Sequence, residues 1–492
     1  MRPVPAKRGM ATLPVLLLLA CTTGPDFQRP QPPHVQGFTA EWRMAKTVAT
    51  PHQHAGRAQE FIPGMDVPAQ WWRLFRSEPL NKLMDQALTA NPDVQAAQAA
   101  LREAQETLSA TKGVAFPEVN ANAGIARQKT NGAGTNFSGS LFTLYNTSVS
   151  VSYGLDPFGG TRRAVEAQEA QMETQRFQVE AVYLTLEANI ITTAVQEASL
   201  KAQVAATKEI IHIQKHQLSV LKDQLKLGGI AETGVLAQKT ALAQTQALLP
   251  PLQKQLAQVQ DTLKALAGKF PTEQQEATFD LSTLQLPKLV PVNLPSQLVE
   301  QRPDIRAAEA QMHAASAAIG LATVDMLPKI ALTGSYGYSS THFNDLVSPG
   351  AVIWNAGAGL LQPIFHGGEL THKRRAAIAE YEAAAARYRS IVLTAFQNVA
   401  DSLRAMEFDA ESLRARSLAT QAASDSLVLA EKQFDAGAIS YLTLLDGQRA
   451  YQQTRLALVQ AEAARYADTA ALFVALGGGW WNNQDKSQGK EK

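Results

Sequence analysis

The feature that most constrains this chain is that it is written twice. Asn91-Pro92-Asp93-Val94-Gln95-Ala96-Ala97 returns as Arg302-Pro303-Asp304-Ile305-Arg306-Ala307-Ala308. Phe116-Pro117 returns at the same offset as Leu327-Pro328, and Pro157-Phe158-Gly159-Gly160 returns loosely as Pro363-Ile364-Phe365-His366-Gly367-Gly368. Leu227-Gly228-Gly229-Ile230-Ala231 returns as Ala436-Gly437-Ala438-Ile439-Ser440. The Pro and Gly markers do not come from helical composition, and they recur in one order. Such self-similarity marks an internal twofold repeat. One half covers about 91–270 and the other about 302–476.

Each half carries the same plan. A helix starts at Pro92 (Pro303), where the missing N–H costs nothing in the first turn. It runs to about 114 (325), and Pro117 (Pro328) opens an extended region. A strand, a loop and a second strand lead to Pro157 (Pro363) and a glycine pair. A very long helix follows, about 161–226 and 369–434, then a glycine turn and a last helix over about 232–268 and 441–476. About 66 residues at 1.5 Å each make a helix of roughly 100 Å, too long for one compact domain to bury. The first and last helices of a half, stacked end to end, match it in length. Pro250-Pro251 stands where the second half reads Val459-Gln460, and predicts a kink or a local break.

The strands alternate. Val119, Ala121, Ala123 and Ile125 alternate with Asn120, Asn122 and Gly124, and Ser148 to Leu155 repeats the pattern. Ile330, Leu332, Tyr336 and Tyr338 alternate with Ala331, Thr333, Ser335 and Gly337; Val352, Trp354, Ala356, Ala358 and Leu360 alternate with Asn355, Gly357 and Gly359. Strands of about ten residues with this dyad pattern suit a membrane barrel. A soluble antiparallel sheet alternates in the same way. Lipid tolerates no open sheet edge, and four strands enclose nothing, so strands in the membrane require several chains to share one barrel. Three copies give twelve strands; two give eight and a filled interior. Composition does not choose between them.

The N-terminus sets the compartment. Arg2, Lys7 and Arg8 precede a short apolar run, Leu13 to Ala20, far below the roughly twenty residues of a spanning helix. Residues 1–20 therefore read as a signal peptide. Leu18-Leu19-Ala20-Cys21 resembles the bacterial lipobox, in which the cysteine carries a covalent lipid. Cys21 is the only cysteine, so no internal disulfide exists. A formal charge of +1 gives no electrostatic case for nucleic acid. No later stretch of about twenty residues is apolar enough for a transmembrane helix. An exported lipidated chain of this kind is either a soluble periplasmic lipoprotein or crosses the outer membrane as strands.

The sequence resembles the TolC-type outer membrane efflux channels, in the lipoprotein branch that serves resistance-nodulation-division (RND) pumps. The resemblance rests on Cys21-Thr22-Thr23-Gly24-Pro25-Asp26-Phe27, on Trp71-Trp72 with Leu74-Phe75, on Arg302-Pro303-Asp304-Ile305 and on Leu476-Gly477-Gly478-Gly479-Trp480, spread over nearly the whole chain. It implies an α+β membrane protein: a homotrimer with a twelve-stranded outer membrane β-barrel, four strands per chain, continuous with a periplasmic α-helical barrel. A mixed equatorial domain would form from 60–90, 270–300 and 470–480. The implied division is signal peptide 1–20, lipidated and equatorial segment 21–90, first repeat 91–270, equatorial linker 271–301, second repeat 302–476 and a polar, disordered tail 477–492. No enzyme or cofactor is implied beyond the lipid on Cys21. The implied partners are a periplasmic adaptor, an inner membrane RND transporter and outer membrane lipid.

In that resemblance the helical turns meet the adaptor tip to tip, through Gly228, Gly229, Ile230 and Ala231 and through Gly437, Ala438, Ile439 and Ser440. Acidic rings lie just inside the tips and select cations. Asp446 matches one ring acid, Thr443 stands where a second acid occurs, Gly234 stands where the first half carries one, and Glu232 partly substitutes. Other candidates read as structural. His212 and His216 lie at i, i+4 with no adjacent third ligand for zinc. His52-Gln53-His54 sits in a linker-like stretch, and Gly268-Lys269 lacks phosphate-loop spacing. Two rivals remain: a protein-secretion conduit of the same architecture, and a soluble periplasmic lipoprotein or adaptor. The duplicated strand pairs argue against the second.

Overall fold

The computed structural model describes residues 22–33, 35, 37–39, 45–130, 140–274 and 277–482. Cys21, the segment 1–20 read above as a signal peptide and residues 483–492 lie outside that set. The elements run β1 (Glu60–Pro63), α1 (Glu78–Ala90), α2 (Pro92–Gly113), β2 (Glu118–Lys129), β3 (Leu141–Leu155), α3 (Gly160–Lys226), α4 (Glu232–Leu266), β4 (Leu289–Val292), α5 (Pro295–Gln301), α6 (Pro303–Val324), β5 (Lys329–Ser340), β6 (Val352–Leu361), α7 (Glu369–Asp435) and α8 (Tyr441–Ala475). The series after Pro92 and after Pro303 have one order, with helices of 22, 67 and 35 residues in each.

Local chemistry sets the helix ends. Asn91 caps α2, its Oδ1 accepting from the N–H groups of Asp93 and Val94 at 2.9 and 3.3 Å. In the second series Arg302 stands there, and the Asp304 carboxylate accepts from Ile305 N–H at 2.9 Å. The C-termini of α3, α4, α7 and α8 end alike. Gly228, Gly268, Gly437 and Gly477 take φ of +76°, +72°, +71° and +97°. At the α3 end, Gly229 N–H reaches Gln224 O at 2.8 Å while Gly228 N–H reaches Leu225 O at 3.0 Å; Ala438 and Gly437 do the same to Gln433 and Phe434. This is the paired hydrogen-bond pattern that a left-handed residue makes at a helix end.

The chain divides into two compact units. The first holds the chain up to Pro30, Leu101–Gln175 and Ala308–Tyr388. Its centre is a four-stranded antiparallel sheet in the order β2-β3-β5-β6, so β2 and β6 are edges. The register pairs Val119 with Val151, Val149 with Tyr336 and Tyr336 with Trp354. β3 is 15 residues long, beyond the expected ten or so. Its first half, Leu-Phe-Thr-Leu-Tyr, lacks clean polar–apolar alternation, which is why the pattern captured only the second half.

The second unit holds Gln31–Ala100, Arg176–Ala307 and Arg389–Lys492. Here β1 pairs in parallel with β4. Trp71 lies 5.3 Å from Phe473 between ring centres, Gln285 N–H reaches Phe75 O at 2.9 Å, and the Tyr466 hydroxyl donates to Leu284 O at 2.7 Å. The three segments assigned to an equatorial domain thus pack together. The long helices bury seven-residue series, Leu200, Thr207, Gln214 and Leu221 on α3 and Leu413, Thr420, Leu427 and Phe434 on α7. That spacing keeps one seam facing a neighbouring helix.

Two expectations are corrected. The local break is absent, α4 being a single helix through Pro250 and Pro251. Both prolines lie on an exposed stretch, so water can satisfy the carbonyls whose N–H partners are missing. The tail assigned to 477–492 is held as far as Asn482. The Trp480 indole donates to Gln301 O at 2.6 Å, the Trp481 indole to Asp66 at 3.0 Å, and the Asn482 amide to Asp66 and Val67 O, each at 2.8 Å. Two tryptophans with buried or charged acceptors outweigh the polar character of the segment. Among the described residues no helix is long and apolar enough to cross a membrane.

Candidate functional site

Two places in the fold present chemistry beyond packing: the sheet of the first unit and the helical turns of the second. Paired residues in an antiparallel sheet share a face. One face of this sheet therefore carries Val119, Ile125, Val149, Val151, Leu332, Tyr336, Trp354 and Leu360, and the other Asn120, Asn122, Ser148, Ser150, Ser152, Thr333, Ser335 and Asn355. The apolar face is open: Ile125 is 71% exposed and Trp354 72%. Tyr336 and Tyr338 gather beside Trp354 toward the loop end, ring centres 6.1 Å apart. An open apolar face of this size needs a cover. The polar face is linked by short side chains, as where the Asn122 amide donates to Ser150 Oγ at 3.3 Å.

A strap of the chain lies in the same unit, and sequence reasoning did not find what holds it. Thr23 N–H reaches Phe158 O at 3.1 Å. Arg163, at the start of α3 with its side chain only 4% exposed, donates to Thr23 O, Gly24 O, Asp26 and Glu166. Phe27 stacks on His313, ring centres 4.4 Å apart, and Arg29 pairs with Glu309 at 2.8 Å. Gly24 (φ +101°) approaches Gly320 so closely that a Cβ would meet the Gly320 backbone. The segment after Cys21 is thus clasped in place; Cys21 itself lies outside the described residues. An arginine beside Gly-Thr at a helix start gives no local sign of a partner about 140 residues away.

In the second unit the two helical turns come together. The docking candidates Gly228, Gly229, Ala231, Gly437, Ala438 and Ser440 are exposed, while Ile230 and Ile439 are half-buried against one shared core. That core joins Leu221, Val235, Leu427, Phe434, Tyr441, Leu444 and Leu445 from all four helices. A cleft of about 590 Å³ opens between the turns, lined by Gly229 to Ala231, Gly437, Ile439 and Ser440 among others. Phe434 meets Tyr441 edge to face at 5.8 Å. The Tyr441 hydroxyl donates to Gln238 Oε1, and Gln238 Nε2 donates to Gln214 O at 2.8 Å. This buried chain couples α8 to α4 and α3. Burial pushes the Tyr441 phenol well above its ordinary range, so it stays a donor. The tyrosine and glutamine were missed because neither residue type marks a long-range bond in sequence.

The gate candidates lie beside this core. Thr443 is exposed, with its hydroxyl 3.1 Å from Ser440 Oγ, so it serves the α8 cap. Asp446, one turn further and also exposed, faces Arg449 at 3.8 Å. Glu232 is exposed in the first turn of α4, where a negative charge favours the helix N-terminus. His212 and His216 are exposed on α3. Among the described residues no three His, Cys, Asp or Glu side chains come together as a metal site requires. On α8, burial first, then the adjacent Asp409 carboxylate, pushes Asp468 up to about 8, so that pair holds a proton at neutral pH.

The comparisons with known proteins agree with this geometry. The family model described as "Outer membrane efflux protein" matches residues 83–269 and 294–478. The chain is 30% identical over 490 residues to the pyoverdine export outer membrane protein OpmQ of Pseudomonas putida, covering 96% of this chain and 98% of that one. It is 27% identical over 470 residues to the cation efflux system protein CusC of Escherichia coli, covering 94% and 97%. The solved structure of the outer-membrane channel OprN superposes with a TM-score of 0.83 at 27% identity, covering 94% of this chain and all of that one.

Proposed function

The chain belongs to the outer membrane efflux protein family, and on that premise we propose how its parts divide the work of a tripartite pump's outer component. It is an outer membrane efflux channel. The apolar face of the β2-β3-β5-β6 sheet contacts lipid, with its tyrosines and Trp354 at one interface. The polar face lines a water-filled lumen. The observation that carries the reading is the sheet itself. Its four strands end in open edges at β2 and β6, and it has one apolar and one polar face. Lipid forbids open edges, so copies must join edge to edge. Three copies give a twelve-stranded barrel, wide enough for a lumen, and the helical series form the rest of the conduit.

The turns at Gly228 and Gly437 form the adaptor-docking end, with Ile230 and Ile439 seated on the tip core. An inner membrane RND transporter supplies the cargo through that adaptor, and the chain catalyses nothing. The Tyr441–Gln238–Gln214 chain holds the two hairpins in register, and Asp446, with Thr443 and Glu232 near it, faces the passing ions. Cys21 carries the lipid, and the Arg163 clasp fixes the chain just behind it. The cargo is small: the relatives are named for pyoverdine, cations and toluene. The test is the mass of the detergent-purified protein by light scattering, corrected for bound detergent. Three chains are expected; a single chain that stays soluble without detergent would remove the barrel.

A further inference from the structure

A further group of ionisable side chains lies in the second unit, where residues 46–60 meet α7 and α8. Glu462, Arg465 and Thr469 follow one another at helical spacing on α8, so they share one face, and all three are buried. Each takes hold of the segment. Glu462 Oε1 accepts from His54 N–H at 3.3 Å, and Thr469 Oγ1 accepts from Gln59 Nε2 at 3.1 Å. Arg465 donates to Ala55 O at 3.0 Å, to Thr47 Oγ1 at 3.3 Å and to Gln59 Oε1 at 2.7 Å. On α7, Ser417 Oγ accepts from Gln53 Nε2 at 3.1 Å. The segment folds tightly to meet them: Thr50 N–H reaches Gly56 O at 2.8 Å.

Asp468 stands one turn from Arg465 and hydrogen-bonds the Asp409 carboxyl of α7. Ionised carboxylates only accept, so this bond exists only while one of the two carries a proton. A proton thus joins α7 to α8. Arg465 completes the group. Both its terminal nitrogens are engaged, yet its Nε is buried without an acceptor, a costly state for a guanidinium. The Asp409 charge acts on that same guanidinium. An arginine one acceptor short, beside a carboxyl pair, gives the pair two arrangements. With the proton on, carboxyl meets carboxyl across the two helices. With the proton off, the carboxylates repel, and one of them turns to Arg465.

We propose that Asp409 and Asp468 form a proton-operated clasp between α7 and α8, and that Arg465 passes its change of state to residues 46–60. The contact lies within one chain and one unit, so it stands or falls separately from the multi-copy reading. In the closed form, burial and then the bond to Asp409 push Asp468 up to about 8. With the helices parted it titrates in the ordinary range, at about 4. Between those limits the closed form holds one more proton than the open form. The clasp is therefore firm in acid, weakens as the pH rises and levels off above about pH 8. The nearest charged and phenolic groups keep their state through this window: burial lowers Arg465 only to about 10, and pushes the Tyr466 phenol up. Burial also pushes up Glu462, which faces His54 and Arg455, and this adds a slope of the same sign. Contributions from Glu462 and His54 cancel when two chains that share them are compared.

The test is amide exchange of the detergent-purified full chain between about pH 5 and 9, corrected for the intrinsic pH dependence of exchange and read over α7 and α8 beside the pair and over residues 46–60. Asp468→Asn keeps a donor at every pH. The opening equilibrium of the unmodified chain should rise about tenfold more per pH unit than that of Asp468→Asn, up to about pH 8 and no further. Equal slopes would overturn the clasp. Asp409→Asn should behave as Asp468→Asn does, and a full slope there would overturn it too. A response confined to the helices would remove Arg465 and the 46–60 segment from the device. If neither variant folds, infrared spectroscopy of the unmodified chain decides. The carbonyl band of a protonated carboxyl should be present at neutral pH and fade through about pH 8. Its absence at neutral pH would overturn the clasp.

Discussion

At the α3–α4 turn the chain reverses over Gly228, and Ala231 precedes α4 with no side-chain cap. At the α7–α8 turn it reverses over Gly437, and Ser440 Oγ accepts from Thr443 N–H at 3.4 Å. The next residue is Glu232, exposed, in the first turn and Tyr441, buried, in the second. The backbones match, and the side chains divide the labour. The second turn supplies the anchor (Phe434, Tyr441, Leu444 and Leu445), and the first supplies the groups that receive it, Gln238 and Gln214. A duplicated scaffold can thus let one tip supply the anchor and its twin the seat that receives it.

The largest expected effect comes from removing the anchor. Phe434→Ala deletes a buried ring and its edge-to-face partner, at a cost of about 3–5 kcal/mol. Amide exchange over 427–445 should then accelerate until it matches or exceeds that over 218–242. If the second tip stays the more protected, the division of labour is wrong. Tyr441→Phe keeps the ring and removes the donor, leaving Gln238 Oε1 buried without a partner, worth about 1–3 kcal/mol. Exchange should rise at both tips together, and planar-bilayer recordings should show more open time. A change confined to α8 would break the link between the hairpins.

A smaller test exchanges the caps. Ser440→Ala should cost about 1 kcal/mol, and Ala231→Ser should recover a similar amount at the other turn, each read from amide exchange in the first turn of its helix. Equal responses would sharpen the claim that the backbones are equivalent. Smallest in stability is Asp446→Asn, because its pairing with Arg449 is exposed to solvent. The thermal midpoint should not move, while the reversal potential across a salt gradient should shift toward lower cation preference. An unchanged reversal potential removes Asp446 from selectivity.

Much of this was legible because it is local. Pro92 and Pro303 open helices, Gly228 and Gly437 close them, and the alternation from Val119 or Val352 places side chains on two faces; each signal lies within a few residues of its effect. The Pro250-Pro251 pair misled for the same reason. Proline's local penalty is real, but exposure lets water meet it, and exposure is a tertiary property. The Arg163 clasp, the Tyr441–Gln238 bond and the docking of Trp480 and Trp481 were unreadable because their partners are distant in sequence. Asp468 reads as a solvated helix acid until the fold sets it beside Asp409.

On the function proposed above, the polar face of the sheet lines the lumen, and this has a kinetic consequence. Its middle carries mostly short amides, hydroxyls and glycines, some of them bonded to one another, as Asn122 is to Ser150. A solute drifting past finds no deep well, only brief exchanges of one water-like partner for another. Dwell times on such a wall are short and nearly independent of what is passing. Throughput is then set by the rate of loading, and a channel of this kind can change its cargo across evolution without changing its lining.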